Sequence, residues 1–155
     1  MRVIFLDFDG VLNSERYLAA SGEDGVVIDP ARMFLLKQIV NATGAEIVLS
    51  TSWREHWSVK AEECSSTGRR IHQIFNTFGI RILDKTPKLH TGREVEIRSW
   101  LDTHPQVRSF VVLDDRLLCA QRLKGHFVKT SNHYDGLDET DVQKAIGILN
   151  AEEVG

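Results

Sequence analysis

Apolar residues along this chain follow two rhythms. Residues 3–6, 45–49 and 109–113 are short runs dominated by Val, Ile, Leu and Phe, of a length that suits strands buried on both faces. Residues 126–129 predict a fourth central strand, and residues 80–83 a short further one. Between these runs the apolar spacing becomes helical. Asp29-Pro30 reads as an N-cap followed by proline at the first helical position, and Met33, Leu35, Leu36, Ile39 and Val40 recur until Gly44 stops the helix. Residues 69–78 place Ile71, Ile74, Phe75 and Phe78 on one face, with Gly79 at the end. Thr91 reads as the cap of the next helix, Glu94 completing a capping box three residues on, with Val95, Ile97, Trp100 and Leu101 as its buried side. Residues 138–149 form a closing amphipathic helix with Val142, Ala145, Ile146 and Leu149 inward. Residues 53–66 begin helically and turn polar. The polar, glycine-bearing segment 13–28 predicts a short loop or hairpin insert.

Strands alternating with helices imply an α/β fold: a doubly wound, Rossmann-like, mostly parallel sheet with right-handed crossovers and helices on both faces. The chain has 155 residues and no internal repeat, low-complexity tract or linker, so a single domain over 1–155 is expected. The net charge of -3 advertises no basic nucleic-acid groove, although a phosphate pocket can be positive locally. Cys64 and Cys119 lack metal-ligand spacing and make a poor disulfide framework, which points to a reducing, cytoplasmic setting. The chain runs straight into Asp7 without a signal-peptide core, and no apolar run approaches a membrane span. No feature specifies an oligomer.

Ligands of such sheets bind beyond the carboxyl ends of the strands, and charge collects there in this chain. Asp7 and Asp9 end the first run; they share a face if the strand continues, and Gly10 makes a turn equally compatible. Two carboxylates so close call for a divalent cation or a shared proton, and hard oxygen donors suit magnesium. A solvated Asx-type turn is the plainer reading of the same tripeptide. The second run ends in Ser50, Thr51, Ser52 and Arg54, groups that suit phosphate oxygens, although capping alone explains one hydroxyl. The third ends in Asp114, Asp115 and Arg116. Arg93 sits in a first helical turn, where a cation opposes the helix dipole at a cost of about a few tenths of a kcal/mol, so it needs an anionic partner. A bound phosphate or the acidic cluster supplies one; Lys85 and Lys88 are rival cations with a solvated surface role. Arg54 and Arg116 fit either a grip on substrate or a salt bridge. Trp53, His56 and Trp57 lie beside the site, where any of them can line a pocket, with packing the plainer role of the tryptophans.

The ordered set Asp7-Phe8-Asp9-Gly10-Val11-Leu12, Leu49-Ser50-Thr51-Ser52, Arg93 at a helix start, and Val111-Val112-Leu113-Asp114-Asp115 resembles the haloacid dehalogenase (HAD) superfamily of phosphohydrolases over nearly the whole chain. Its wording is similar to small HAD modules of the polynucleotide-kinase-phosphatase type. The resemblance implies a magnesium-dependent phosphatase in which Asp7 is the nucleophile, forming an aspartyl-phosphate, and Asp9 the general acid and base. It implies Mg2+ held by Asp7, the carbonyl of Asp9 and Asp115, with Asp114 behind it. Thr51, with Ser50 as the fallback, would bind the phosphoryl group, and Arg93 would stand in for the usual lysine. Gly10 belongs to the first motif, and Ser52 and Arg54 extend the second. No interval is long enough for the large cap domain many members carry, so the site should be open and suit a nucleotide, a nucleic-acid end or another large phosphorylated substrate. A receiver-like phosphoacceptor and a catalytically inactive HAD scaffold are the competing expectations.

Overall fold

The computed structural model describes residues 1–116, 118 and 123–151. Five strands, β1 (Arg2–Leu6), β2 (Glu46–Leu49), β3 (Ile82–Lys85), β4 (Ser109–Asp114) and β5 (Phe127–Lys129), form one sheet in the order β3-β2-β1-β4-β5. Every pairing is parallel. The helices are α1 (Glu15–Ser21), α2 (Pro30–Thr43), α3 (Ser66–Thr77), α4 (Arg93–Asp102) and α5 (Glu139–Asn150). From β1 the chain winds outward through β2 and β3, then returns to lay β4 on the other side of β1. The strand order therefore reverses between β1 and β4, where doubly wound sheets open their binding crevice.

Alternation along the strands sorts the core into two layers. Ile4, Leu6, Ile47, Leu49, Val111 and Leu113 face α2, α3 and α5, meeting Met33, Leu36, Ile71, Phe75 and Val142. Val3, Phe5, Val48 and Val112 face the opposite way, against Ile97 and Trp100 of α4. Full burial of such side chains contributes about 1.5–3 kcal/mol each, which explains why the inward positions of β1, β2 and β4 are apolar between their first residue and the strand end. The doubly wound expectation holds, with no inserted cap among the described residues. No helix is long and apolar enough to cross a membrane.

Local signals succeed where they are strong. Asp29 caps α2 through Ala31 N–H, Pro30 opens it, and Gly44 closes it at φ 69°. Asp138 and Asp141 form a reciprocal capping box at α5. Several expectations need correction. Segment 13–28 contains a helix, α1, capped by Ser14 and ended by Gly22, rather than a hairpin. Residues 53–66 form two short 3-10 turns, Ser52–His56 and Ala61–Glu63, and α3 begins already at Ser66. Thr91 does not cap α4: Gly92 holds that position at φ 132°, without a side-chain cap, because Thr91 lies one residue too early. Strand β5 starts at Phe127 and lies at the sheet edge, not its centre. Cys119 lies outside the described residues, and Cys64 is a buried free thiol.

Candidate active site

The ladder itself aims the candidate chemistry. Leu6 pairs with Leu49 on one side and Leu113 on the other. Continuing one step puts Asp7, Ser50 and Asp114 level with one another, a step confirmed by Asp7 N–H to Leu113 O at 3.1 Å and Ser50 N–H to Leu6 O at 3.1 Å. With a period of two, all three project on the face covered by α4. Arg93, the first residue of α4, reaches across them: its Nη1 is 3.1 Å from Asp7 Oδ2 and 2.7 Å from Asp114 Oδ2. The cation that opposes the helix dipole thus has two carboxylates to offset.

Asp7, Asp114 and Asp115 each bring a carboxylate oxygen within 4.8 Å of the others, a group able to hold a metal ion. Burial pushes Asp7 up to about 7, opposed by Arg93 and reinforced by Asp114 and Asp115. Asp115, half-buried, is also raised, by desolvation first and by Asp114 second. Arg93 is held more firmly protonated, since Asp7 and Asp114 outweigh its own desolvation. Asp114 is completely buried with both oxygens engaged: Oδ2 with Arg93, and Oδ1 with Arg116 N–H at 3.0 Å. Asp115 stands nearer solvent, and Gly10 makes room for it: at φ 80°, a Cβ on Gly10 would lie 2.5 Å from the Asp115 carboxyl. One guanidinium against three carboxylates leaves excess negative charge, and the donors are all hard oxygens, so the residues fit a divalent cation such as magnesium.

Asp9 lies past the strand and is exposed, yet both its oxygens are held. Asn13 Nδ2 donates to Oδ1 at 3.0 Å and Trp53 Nε1 to Oδ2 at 2.9 Å. Asn13 is wholly buried; it also accepts from Gly10 N–H at 2.9 Å and donates to Val27 O at 2.7 Å, which closes the loop after β1. The sequence assigns Asn13 no role and leaves Trp53 between packing and lining the pocket; the proximity of Trp53 to the hydroxyl cluster was the available signal.

The hydroxyl cluster separates into three fates. Thr51 Oγ1 accepts from Trp53 N–H at 3.3 Å and so caps the following 3-10 turn. Ser52 is exposed at the start of that turn. Ser50 is fully buried and its Oγ has no hydrogen-bond partner. Arg54 is a correction. Only 6 % exposed, it donates to the carbonyls of Thr86, Thr51 and Pro87 and pairs with Glu96 at 2.9 Å, so its guanidinium is spent inside the protein and the salt-bridge alternative prevails over a grip on substrate. Lys85 is likewise committed, to the carbonyls of Arg54 and Trp57, and Lys88 pairs with Glu55. Arg116 remains exposed beside Asp115.

Neither a curated protein nor a solved structure matches the chain significantly. A family model does, over residues 3–142, a span that includes every carboxylate, hydroxyl and cation placed above. On that match, and on a Rossmann-like sheet with its acids at the β1/β4 crevice, the chain belongs to the phosphohydrolase-type family described as the HAD domain in Swiss Army Knife RNA repair proteins.

Proposed function

We propose that the chain is a magnesium-dependent phosphomonoester hydrolase that works through an aspartyl-phosphate on Asp7 and acts on the phosphorylated end of a nucleic acid. The observation that carries this reading is the cluster of Asp7, Asp114 and Asp115 with Arg93 bridging two of them. The residues to hold the ion are Asp7, Asp115 and the backbone carbonyl of Asp9, while Asp114, wholly buried behind Asp115, orients Arg93. Magnesium bound there supplies charge neutralisation for the phosphoryl oxygens and keeps Asp7 ionised at neutral pH.

In this mechanism an Asp7 carboxylate oxygen attacks phosphorus and the ester oxygen departs, taking a proton from Asp9. Asp9 then takes a proton from the water that attacks the aspartyl-phosphate; inorganic phosphate leaves and both carboxyl groups return to their starting forms. Arg93 offsets charge on nucleophile and phosphoryl group alike. Ser50 donates a hydroxyl hydrogen bond to a phosphoryl oxygen, since its Oγ is without a protein partner and level with Asp7. Phosphoryl transfer rests chiefly on such positioning and electrostatics. The substrate class is supported by the RNA-repair description of the family and by the lack of an inserted cap among the described residues, which leaves the strand ends open to a long chain.

The test is hydrolysis of p-nitrophenyl phosphate with and without magnesium, beside Asp7→Asn and Asp9→Asn. Metal-dependent release abolished in Asp7→Asn and reduced far less in Asp9→Asn, because nitrophenolate departs without a proton, is the expected result; lasting phosphorylation of wild-type protein without release would replace the phosphatase with a phosphoacceptor. Oligoribonucleotides phosphorylated at the 3′ or 5′ end should then be turned over faster than sugar phosphates. The reverse preference would overturn the substrate assignment.

A further inference from the structure

Asp9 follows the last residue of β1 by three positions, so no ladder holds it, and its side chain is exposed. A free surface carboxylate samples several rotamers; this one does not stand free. Two N–H donors from different elements meet it, Asn13 from the loop after β1 and Trp53 from the turn after β2, at 3.0 and 2.9 Å on opposite oxygens. Each donor is itself anchored. Asn13 has two further hydrogen bonds in the core, while Trp53 packs against the larger apolar cluster and has its backbone N–H tied to Thr51.

The two neighbouring tryptophans make a telling contrast. An indole N–H normally needs a protein partner when buried and can use water when it is not. Here Trp57, 3 % exposed, leaves its Nε1 without a partner, whereas the partly exposed Trp53 directs its Nε1 onto an acid 44 positions away. Packing alone gives no reason for that orientation.

We infer that Trp53 is a positioning residue for the reaction: its indole N–H, with the Asn13 amide, holds the Asp9 carboxyl group where it exchanges a proton with the departing ester oxygen. This rests on the reading of Asp9 as general acid and base. Proton donation matters when the leaving group is a basic alkoxide and matters little for nitrophenolate, which departs unprotonated. General acid–base catalysis contributes about 10²–10⁴-fold, and a displaced acid forfeits part of that.

The experiment compares kcat/KM of wild type and Trp53→Phe on a ribonucleotide-terminal phosphate and on p-nitrophenyl phosphate. The expected result is a loss at least about tenfold greater on the ribonucleotide, with Asp9→Asn showing the same leaving-group signature. An equal loss on both substrates in an active enzyme overturns the inference and leaves the phosphatase reading standing. A wild type that hydrolyses neither substrate overturns both. Because Trp53→Phe also removes packing, a second measurement keeps the wild-type indole in place. The Trp53 Nε1–H proton resonance is expected to move in Asp9→Asn, and a resonance left unmoved overturns the contact.

Discussion

Ser50 and Thr51 are adjacent hydroxyls with opposite surroundings, and the difference decides what each substitution does. Thr51 Oγ1 accepts from Trp53 N–H, so Thr51→Ala is expected to cost about 1 kcal/mol of stability through the lost cap. Ser50 Oγ has nothing to lose in the folded protein, and removing an unsatisfied buried hydroxyl is close to neutral, within about 1 kcal/mol. If Ser50 instead serves the transferring phosphoryl group, Ser50→Ala lowers kcat/KM by about 10²-fold, the usual cost of one oxyanion donor. Urea denaturation and steady-state kinetics on both variants check this. A larger kinetic loss in Thr51→Ala would return the role to Thr51.

At the level of elements, Arg54 links three pieces of backbone that carry site residues. Its guanidinium joins the 3-10 turn after β2, the loop leading from β3, and α4 through Glu96, three residues beyond Arg93. Glu96 also accepts Leu89 N–H at 2.8 Å, so the loop that delivers α4 is held from both sides. The N-terminus of α4 lacks a side-chain cap and begins with Arg93, an arrangement that would fray in isolation and is sustained by these contacts and by Asp7 and Asp114. Arg54→Met is expected to cost about 3–5 kcal/mol, measured by urea unfolding, because it strands a buried carboxylate rather than merely deleting a pair. Pairing it with Glu96→Gln should recover much of that loss, and strict additivity of the two would count against the linkage.

Over the whole molecule, the buried acids impose a pH dependence. Asp7 rises from 3.8 to about 7 on folding and Asp141, in the α5 capping box, from 3.8 to about 6, each chiefly by desolvation. A carboxyl group that holds its proton more tightly when folded lends stability at low pH and withdraws it as pH climbs through the folded value. Metal-free protein should therefore show a lower urea midpoint at pH 8 than at pH 5. A cation that binds ionised Asp7 stabilises the fold by an amount that grows with its affinity, and protons compete for that carboxylate at low pH, so magnesium should raise Tm more at pH 8 than at pH 5. Equal increments at the two pH values would mean that Asp7 is not among the ligands.

The sequence by itself determined what depends on neighbours along the chain. Apolar runs specify the central strands, Asp29-Pro30 and Gly44 bracket α2, and the runs of β1 and β4 give way to aspartates at their carboxyl ends, so charge at that edge was legible from the order of residues alone. Helix α1 escaped that logic because its seven residues bury no side chain and show no apolar face, although Ser14 and Gly22 bracket it. Tertiary structure alone decided which groups meet. Strand register made Ser50 level with Asp7, the approach of α4 consumed Arg54 on Glu96 and brought Arg93 onto two aspartates, and the turn after β2 carried the Trp53 indole to Asp9. Each of these contacts joins residues distant in sequence, and only the packing of one element on another sets their distance.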